Sequence, residues 1–339
     1  MNKSLKELSL DITEEEYRAD PSLSYSTLAK YERAGFSGLS TLFDRIETPS
    51  LTFGSIVDSI ITGGQSEFDE RFMVADFPNI SDTIIKIVKR VYFLWGKEYS
   101  VLSDVPENKV IEVAKEFNYQ PTWGNAAKMK HISTGEEYYN LLFLAGDRTI
   151  VDTNTYNEAI AAVSALKGSN ATKWYFEDDN PFDDSIERLY QLKFKATFEG
   201  IDYRCMMDEV IVDHKNKKIY LIDLKTSGKP EYKFAQSFVE WSYAIQARLY
   251  YRIFKANIEN DEYFKDFTIE PYRFIVVNKG TLNPLVWVFN QTFEMGELEI
   301  ANVSFRDPFT IGKELTYYLT NNSKTPIGIK EENNIEDWL

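Results

Sequence analysis

An acid placed inside an apolar strand pattern constrains this chain more than any other feature. Residues 218–224 read KIYLIDL, a β-branched and aromatic run that carries Asp223 near its end and is followed at once by Lys225. Such a run predicts a strand. A carboxylate inside it is costly to bury unless it meets a partner or a cation, so Asp223 needs one or the other.

The strands before it supply a candidate. Residues 191–198 (QLKFKATF) and 203–212 (YRCMMDEVIV) are apolar-rich and partly alternating, with Glu199-Gly200 between them, and predict a hairpin. The polar turn 213–217 (DHKNK) then leads into the Asp223 strand. Strands joined by short turns lie side by side, so Asp208 and Asp223 can approach across the sheet. Neighbouring carboxylates repel, and a hard cation, Mg²⁺ or Mn²⁺, relieves the repulsion while taking oxygen ligands.

Lys225 shares the face of Asp223, because side chains two apart in a strand point the same way. An ammonium there is placed to orient or help deprotonate an attacking water and to offset charge on a phosphorane-like transition state. An acid-x-Lys triplet alone is more often a solvated pair on an edge strand. The conjunction with Asp208, and with the helix pattern that puts Gln246 and Tyr250 four apart on one face, points instead to metal-assisted phosphodiester hydrolysis.

At these residues the chain resembles the PD-(D/E)xK nuclease superfamily, and within it the RecB/RecE-like phage and bacterial exonucleases. The matching pieces are Met207-Asp208, Asp223-Leu224-Lys225-Thr226, and Gln246-Ala247-Arg248-Leu249-Tyr250, together with the linker from Phe234 to Gln246. The likeness covers roughly residues 185–255. It implies a restriction-endonuclease-like α/β core, a mixed central β-sheet flanked by helices with a helical N-terminal elaboration. It implies that Asp208, Asp223 and the Leu224 carbonyl hold the metal, that Lys225 assists the attacking water, and that Gln246 and Tyr250 position DNA. Upstream, residues 24–31 (SYSTLAKY) and 53–62 (FGSIVDSIIT) look like the N-terminal helices of the RecE-like enzymes. Asp58 stands where those proteins commonly carry a histidine. An aspartate there can ligate a hard cation, directly or through water, or simply cap or face solvent. The family's glutamate before the first core strand has its nearest counterpart in Glu187, within an acid-rich segment that also holds Glu177, Asp178, Asp179, Asp183 and Asp184.

Composition removes several alternatives. Two histidines, His131 and His214, and the single Cys205 leave no zinc finger, HExxH motif or four-cysteine iron-sulfur cluster. His214 lies in the hairpin turn and is expected at the surface. Cys205 is expected to pack as a small hydrophobe. No GxxxxGK[ST] loop suggests a fused nucleotide-driven motor. The sequence opens Met-Asn-Lys-Ser without an apolar leader, and no run reaches the roughly 18 apolar residues that span a bilayer. With one cysteine, a cytoplasmic setting without membrane attachment is the expectation.

With 339 residues and 43% hydrophobic content, and with no linker-like tract or repeat, a single elaborated domain is expected over 1–339. Residues 1–65 would give N-terminal helices to the core. Residues 66–184 would form a mainly helical elaboration, with helical patterns at 82–95, 108–117 and 154–166. Residues 185–291 would carry the catalytic sheet and the Gln246 helix, with further strands at 270–278 and 283–289. Residues 292–339 would add helix-like periodicity over 293–321 and an acidic tail.

A net charge of −15 opposes DNA binding in the far field, yet a local basic channel can still operate against such a background. Its candidates are Lys86, Lys89 and Arg90, Lys128 and Lys130, and Lys225, Lys229 and Lys233; Lys229 is the DNA-binding candidate beside the site. The tail EENNIEDWL offers Trp338 and Leu339 as a docking element for a recombination or single-strand-binding partner, or is a frayed acidic end. The expected activity is Mg²⁺-dependent exonuclease action on linear duplex DNA in recombination or replication, with a homo-oligomer compatible but marked by no residue. The alternatives are an endonuclease and a catalytically silent nuclease fold serving as a structural or protein-binding module.

Overall fold

The computed structural model describes residues 2–44, 48–178, 180 and 182–321. The tail carrying Trp338 and Leu339, and Asp179 of the acid-rich segment, lie outside the described residues. The chain divides into two compact units, one built from residues 1–62 and 162–339 and the other from 63–161.

The first unit is a mixed α/β structure around a central sheet. Its strands run in the order Ile186–Phe198, Ile201–Asp213, Lys218–Ser227, Tyr272–Asn278 and Pro284–Phe289, with the short Thr268–Ile269 also paired to the third. The first three are antiparallel neighbours, as hairpins require. The third and fourth are parallel, so the chain must cross between them, and the helix Tyr243–Ile258 makes that crossing. Along the third strand Ile219 and Leu221 point into the main core, and Ala247, Leu249 and Ile253 of the crossing helix pack there with Phe274 of the fourth strand.

The opposite face of the sheet receives the first turns of the helix Pro49–Arg71. Gly54 makes that approach close: a Cβ on it would stand 3.2 Å from Thr226 Oγ1. Helix Tyr25–Ala34 starts at Ser24, whose hydroxyl accepts the Thr27 amide and caps the first turn.

The second unit has a helical core of its own. Ile84, Ile87, Val88 and Val91 of helix Asp82–Trp95 pack with Val110, Val113 and Tyr139. A two-stranded parallel pair, Phe72–Val74 with Thr149–Val151, completes it. The sequence reads as one elaborated domain because no polar linker separates the units. The division comes instead from this separate core, which no composition shift announces.

Three local expectations change. Residues 293–321 are not one helical stretch, because Leu298–Ile300 and Val303–Phe305 form a hairpin before the helix Pro308–Asn321. Ala301 and Asn302, both at positive φ, make its tight turn. His214 is not a surface residue: its side chain is 4% exposed, its Nδ1 lies 3.1 Å from Tyr263 Oη, and Phe264 and Phe267 pack around it. Lys128, a candidate for a basic channel, is buried. Cys205 is fully buried in the main core, and burial raises its thiol pKa, as expected of a packed hydrophobe. Among the described residues no helix is long and apolar enough to cross a membrane.

Candidate active site

Asp223 enters the core because its strand is apolar on both sides of it, and its side chain is only 2% exposed. Two groups meet its charge. Lys225 Nζ lies 2.6 Å from Asp223 Oδ2, and Gln246 Nε2 donates to Asp223 Oδ1. Gln246 reaches it from the crossing helix, so the parallel connection that builds the fold also supplies the second partner. The Lys225 ammonium lies over the Tyr243 ring, 4.9 Å from its centroid. Burial, the largest single influence, would by itself lower the lysine's pKa, but the neighbouring Asp223, Tyr243, Asp208 and Tyr25 together outweigh it and the pKa rises. Lys225 is therefore a permanent cation at neutral pH. It suits charge compensation better than proton abstraction.

Asp208 sits where the ladder between the second and third strands gives out. The last paired residues are Glu209 and Ile222. Two residues past Ile222, the Leu224 amide donates to the Asp208 side chain, to Oδ2 at 2.9 Å. Burial first, then the charges of Asp223 and Asp58, hold the Asp208 carboxyl well above the usual carboxylate range.

Asp58 comes from the other face of the sheet. Gln191 Nε2 donates to both of its carboxylate oxygens at 3.1 Å. Gln191 adopts φ +54°, an uncommon conformation for a non-glycine residue. Asp58, Asp208 and Asp223 thus form one electrostatic group, with Lys225 as its counter-charge.

Two expected members lie elsewhere. Glu187 pairs in register with Val212, four residues along the strand from Asp208. Its carboxylate accepts from Ser4 Oγ and from the Leu5 amide, and it faces His214 Nε2 at 3.5 Å. It ties the N-terminal segment to the sheet. Lys229 lies past the strand end in an ion pair with Glu240.

The family resemblance implies that Gln246 and Tyr250 position DNA; in the structure both are buried, at 3% and 8% exposure, and Gln246 orients a carboxylate. Arg248, between them, is also buried and bonds the carbonyls of Glu294, Gly296 and Arg306 and the Asp307 carboxylate. Its work is structural.

Four contributors escape the sequence. Tyr243 is three residues before Gln246 and so shares its helix face, a signal that was present. Tyr25 stands 6.3 Å from Tyr243, ring to ring. Gln191 carries no pattern that marks it. Tyr272 is fully buried, and among the described residues its hydroxyl has no hydrogen-bond partner, nor has Gln246 Oε1.

Asp208, Asp223 and the Leu224 carbonyl offer the hard oxygen donors that Mg²⁺ or Mn²⁺ takes. The like-charge pressure on Asp208 is the kind that a cation relieves, so the donor chemistry fits. Among the described residues no three His, Cys, Asp or Glu side chains are spaced to hold a metal by themselves. A site here therefore depends on the backbone carbonyl as well as the two acids.

No family model matches the chain, and no curated protein matches it. Among solved structures it is similar to a "Putative exonuclease" from Eubacterium rectale, at 11% identity and a TM-score of 0.43, over 92% of this chain and 85% of that one.

Proposed function

We propose that this protein is a metal-dependent deoxyribonuclease that hydrolyses DNA phosphodiester bonds, acting as an exonuclease on linear duplex. The observation that carries the proposal is the opposition of Asp208 and Asp223 at the parting of two strands, with the Lys225 ammonium 2.6 Å from the second acid. Buried acids gathered around one permanent cation cost stability, and such costs are concentrated where chemistry is done.

Asp208, Asp223 and the Leu224 carbonyl would hold Mg²⁺ or Mn²⁺, which supplies Lewis-acid stabilisation of charge on the phosphoryl oxygens. The protein's own groups do the rest. Gln246 fixes the rotamer of Asp223, Lys225 offsets negative charge as it grows on the phosphorus oxygens, and Gln191 holds Asp58 toward the same centre.

A second interpretation, a catalytically silent nuclease-like module, is favoured by one feature. Both acids already accept from internal donors, namely Leu224, Gln246 and Lys225.

Digestion of end-labelled linear duplex and closed circular DNA at low salt, with Mg²⁺ or Mn²⁺, separates these readings. Loss of linear DNA alone, abolished in Lys225→Ala and in Asp223→Ala, is the expected result. Cutting of circles moves the assignment to an endonuclease. No cleavage with either metal, and no metal binding by calorimetry, overturns the proposal in favour of the silent module.

A further inference from the structure

We infer that Trp241 and Arg33 form a stacking ledge for the bases of a single-stranded DNA end, leading to the Lys225 side of the acid group. The inference rests on the nuclease reading for the identity of the polyanion and adds the strand state and the residues that hold it.

Trp241 lies between the helices Phe234–Glu240 and Tyr243–Ile258 and is 44% exposed, a large ring left in solvent beside a site. It is held firmly there. Its carbonyl accepts from Tyr25 Oη at 2.6 Å and from Arg33 Nη1 at 3.4 Å, and the Arg33 guanidinium lies over its ring, 5.2 Å from the centroid. The next residue, Ser242, turns the chain in a left-handed conformation, at φ +57°. A side chain fixed in this way presents a ring face at low entropic cost.

One of these anchors connects inward. Tyr25 meets Tyr243, and Tyr243 carries Lys225 on its face. Nine residues before Trp241 the chain repeats the chemistry: Tyr232 is 77% exposed, with Lys233 Nζ 5.9 Å from its ring centroid. The acids of this loop are occupied, because Glu240 pairs with Lys229, and Glu231 accepts from Thr281 and Asn283. Aromatic rings each accompanied by a cation, as at Trp241, Tyr243 and Tyr232, suit the alternation of bases and phosphates along one strand. It does not match paired duplex, whose base faces are already stacked.

The test reads binding without cleavage. Fluorescence anisotropy of a labelled oligothymidylate of roughly 15 nucleotides is followed in excess chelator with the full chain, its Trp241→Ala, Trp241→Phe and Arg33→Ala variants, and an abasic oligomer of the same length. The expected result is a loss of about tenfold in affinity for Trp241→Ala, a loss within about threefold for Trp241→Phe, and an abasic strand that binds the native chain as weakly as Trp241→Ala binds the normal one. Weaker binding in Arg33→Ala accompanies it. Equal affinity of native and Trp241→Ala protein, both folded by thermal melting, overturns the inference. So does an abasic strand that binds as well as the normal one, or a native chain that binds no oligonucleotide. Because no metal is present, failure of the nuclease proposal leaves this measurement readable.

Discussion

Replacing Asp208 by asparagine is expected to stabilise the metal-free protein. Asp208 and Asp223 stand on neighbouring strands one step past the last ladder pair, where opposite or diagonal side chains are roughly 5–8 Å apart. At an effective dielectric constant of about 20, two unit charges at that separation repel by roughly 2–3 kcal/mol. Lys225 offsets part of this, and an asparagine oxygen still accepts the Leu224 amide, so a net gain of about 1–2 kcal/mol remains. For a unit of this size that is a rise of about 2–8 °C in melting temperature. The pH dependence carries the sign. Asp208 is held above its unfolded pKa, so the native state binds the extra proton, and stability falls as pH rises from the unfolded value of about 3.9 through the raised one. Asp208→Asn removes that slope. Thermal unfolding of both proteins in chelator, from about pH 5 to pH 8, measures the gap. A melting temperature lowered by the substitution at the alkaline end, or a gap that does not widen with pH, refutes the reasoning. Added Mg²⁺ should raise the native protein by mass action and shrink the difference.

Tyr272→Phe deletes a buried hydroxyl without a partner among the described residues and should be neutral or stabilising by up to about 1 kcal/mol in denaturant unfolding; a clear loss would mean that the hydroxyl is bonded in solution. Ser242→Gly, at a left-handed position whose side chain caps nothing, should stabilise by roughly 1 kcal/mol, and an unchanged midpoint would show that the strain is absent. Burial alone would raise the Asp20 carboxyl, but Lys195, at 2.7 Å, and Ser22 pull it down to about 2. Its contribution, discounted for partial exposure to about 1 kcal/mol, is therefore present above the unfolded pKa and is lost as pH falls through about 2. Asp20→Asn should flatten the acid limb of the stability profile, and an unaltered limb would count against the pair.

The sheet was legible where local chemistry decides. The Glu199-Gly200 turn, the apolar strand around Asp223 and the Gln246–Tyr250 spacing each predict an element that the structure contains. The first strand starts earlier than its pattern, at Ile186 rather than Gln191, because pairing with the second strand extends it beyond its own propensity. What stayed hidden depends on distant partners. His214 reads as a turn residue, but the packing of Tyr263, Phe264 and Phe267 buries it. Glu187 reads as one more acid near the site, but the N-terminal Ser4 and Leu5 claim it. Spacing along a chain carries no information about a contact made 183 residues away.

The placement of Asp208 follows from a fault in regular pairing. Leu189 and Leu192 of the first strand both pack on the main core, as do Met207 and Val210 of the second, so each strand skips a beat of its alternation at the same rung. Gln191 and Asp208 occupy that rung, and Gln191 takes the left-handed conformation that the skip demands. A break of this kind re-aims side chains and ends pairing. Here it frees the Leu224 amide from the ladder, and the Asp208 carboxylate takes it. Asp208 then stands in the gap between two faces of the sheet, with Asp223, Lys225 and Gln246 on the side of the crossing helix and Asp58 on the side that Gly54 brings against Thr226. The residue that makes the break is also the one that holds Asp58. One strained glutamine thus couples the end of the ladder to the gathering of three acids, and a strand of perfect alternation would bring together neither.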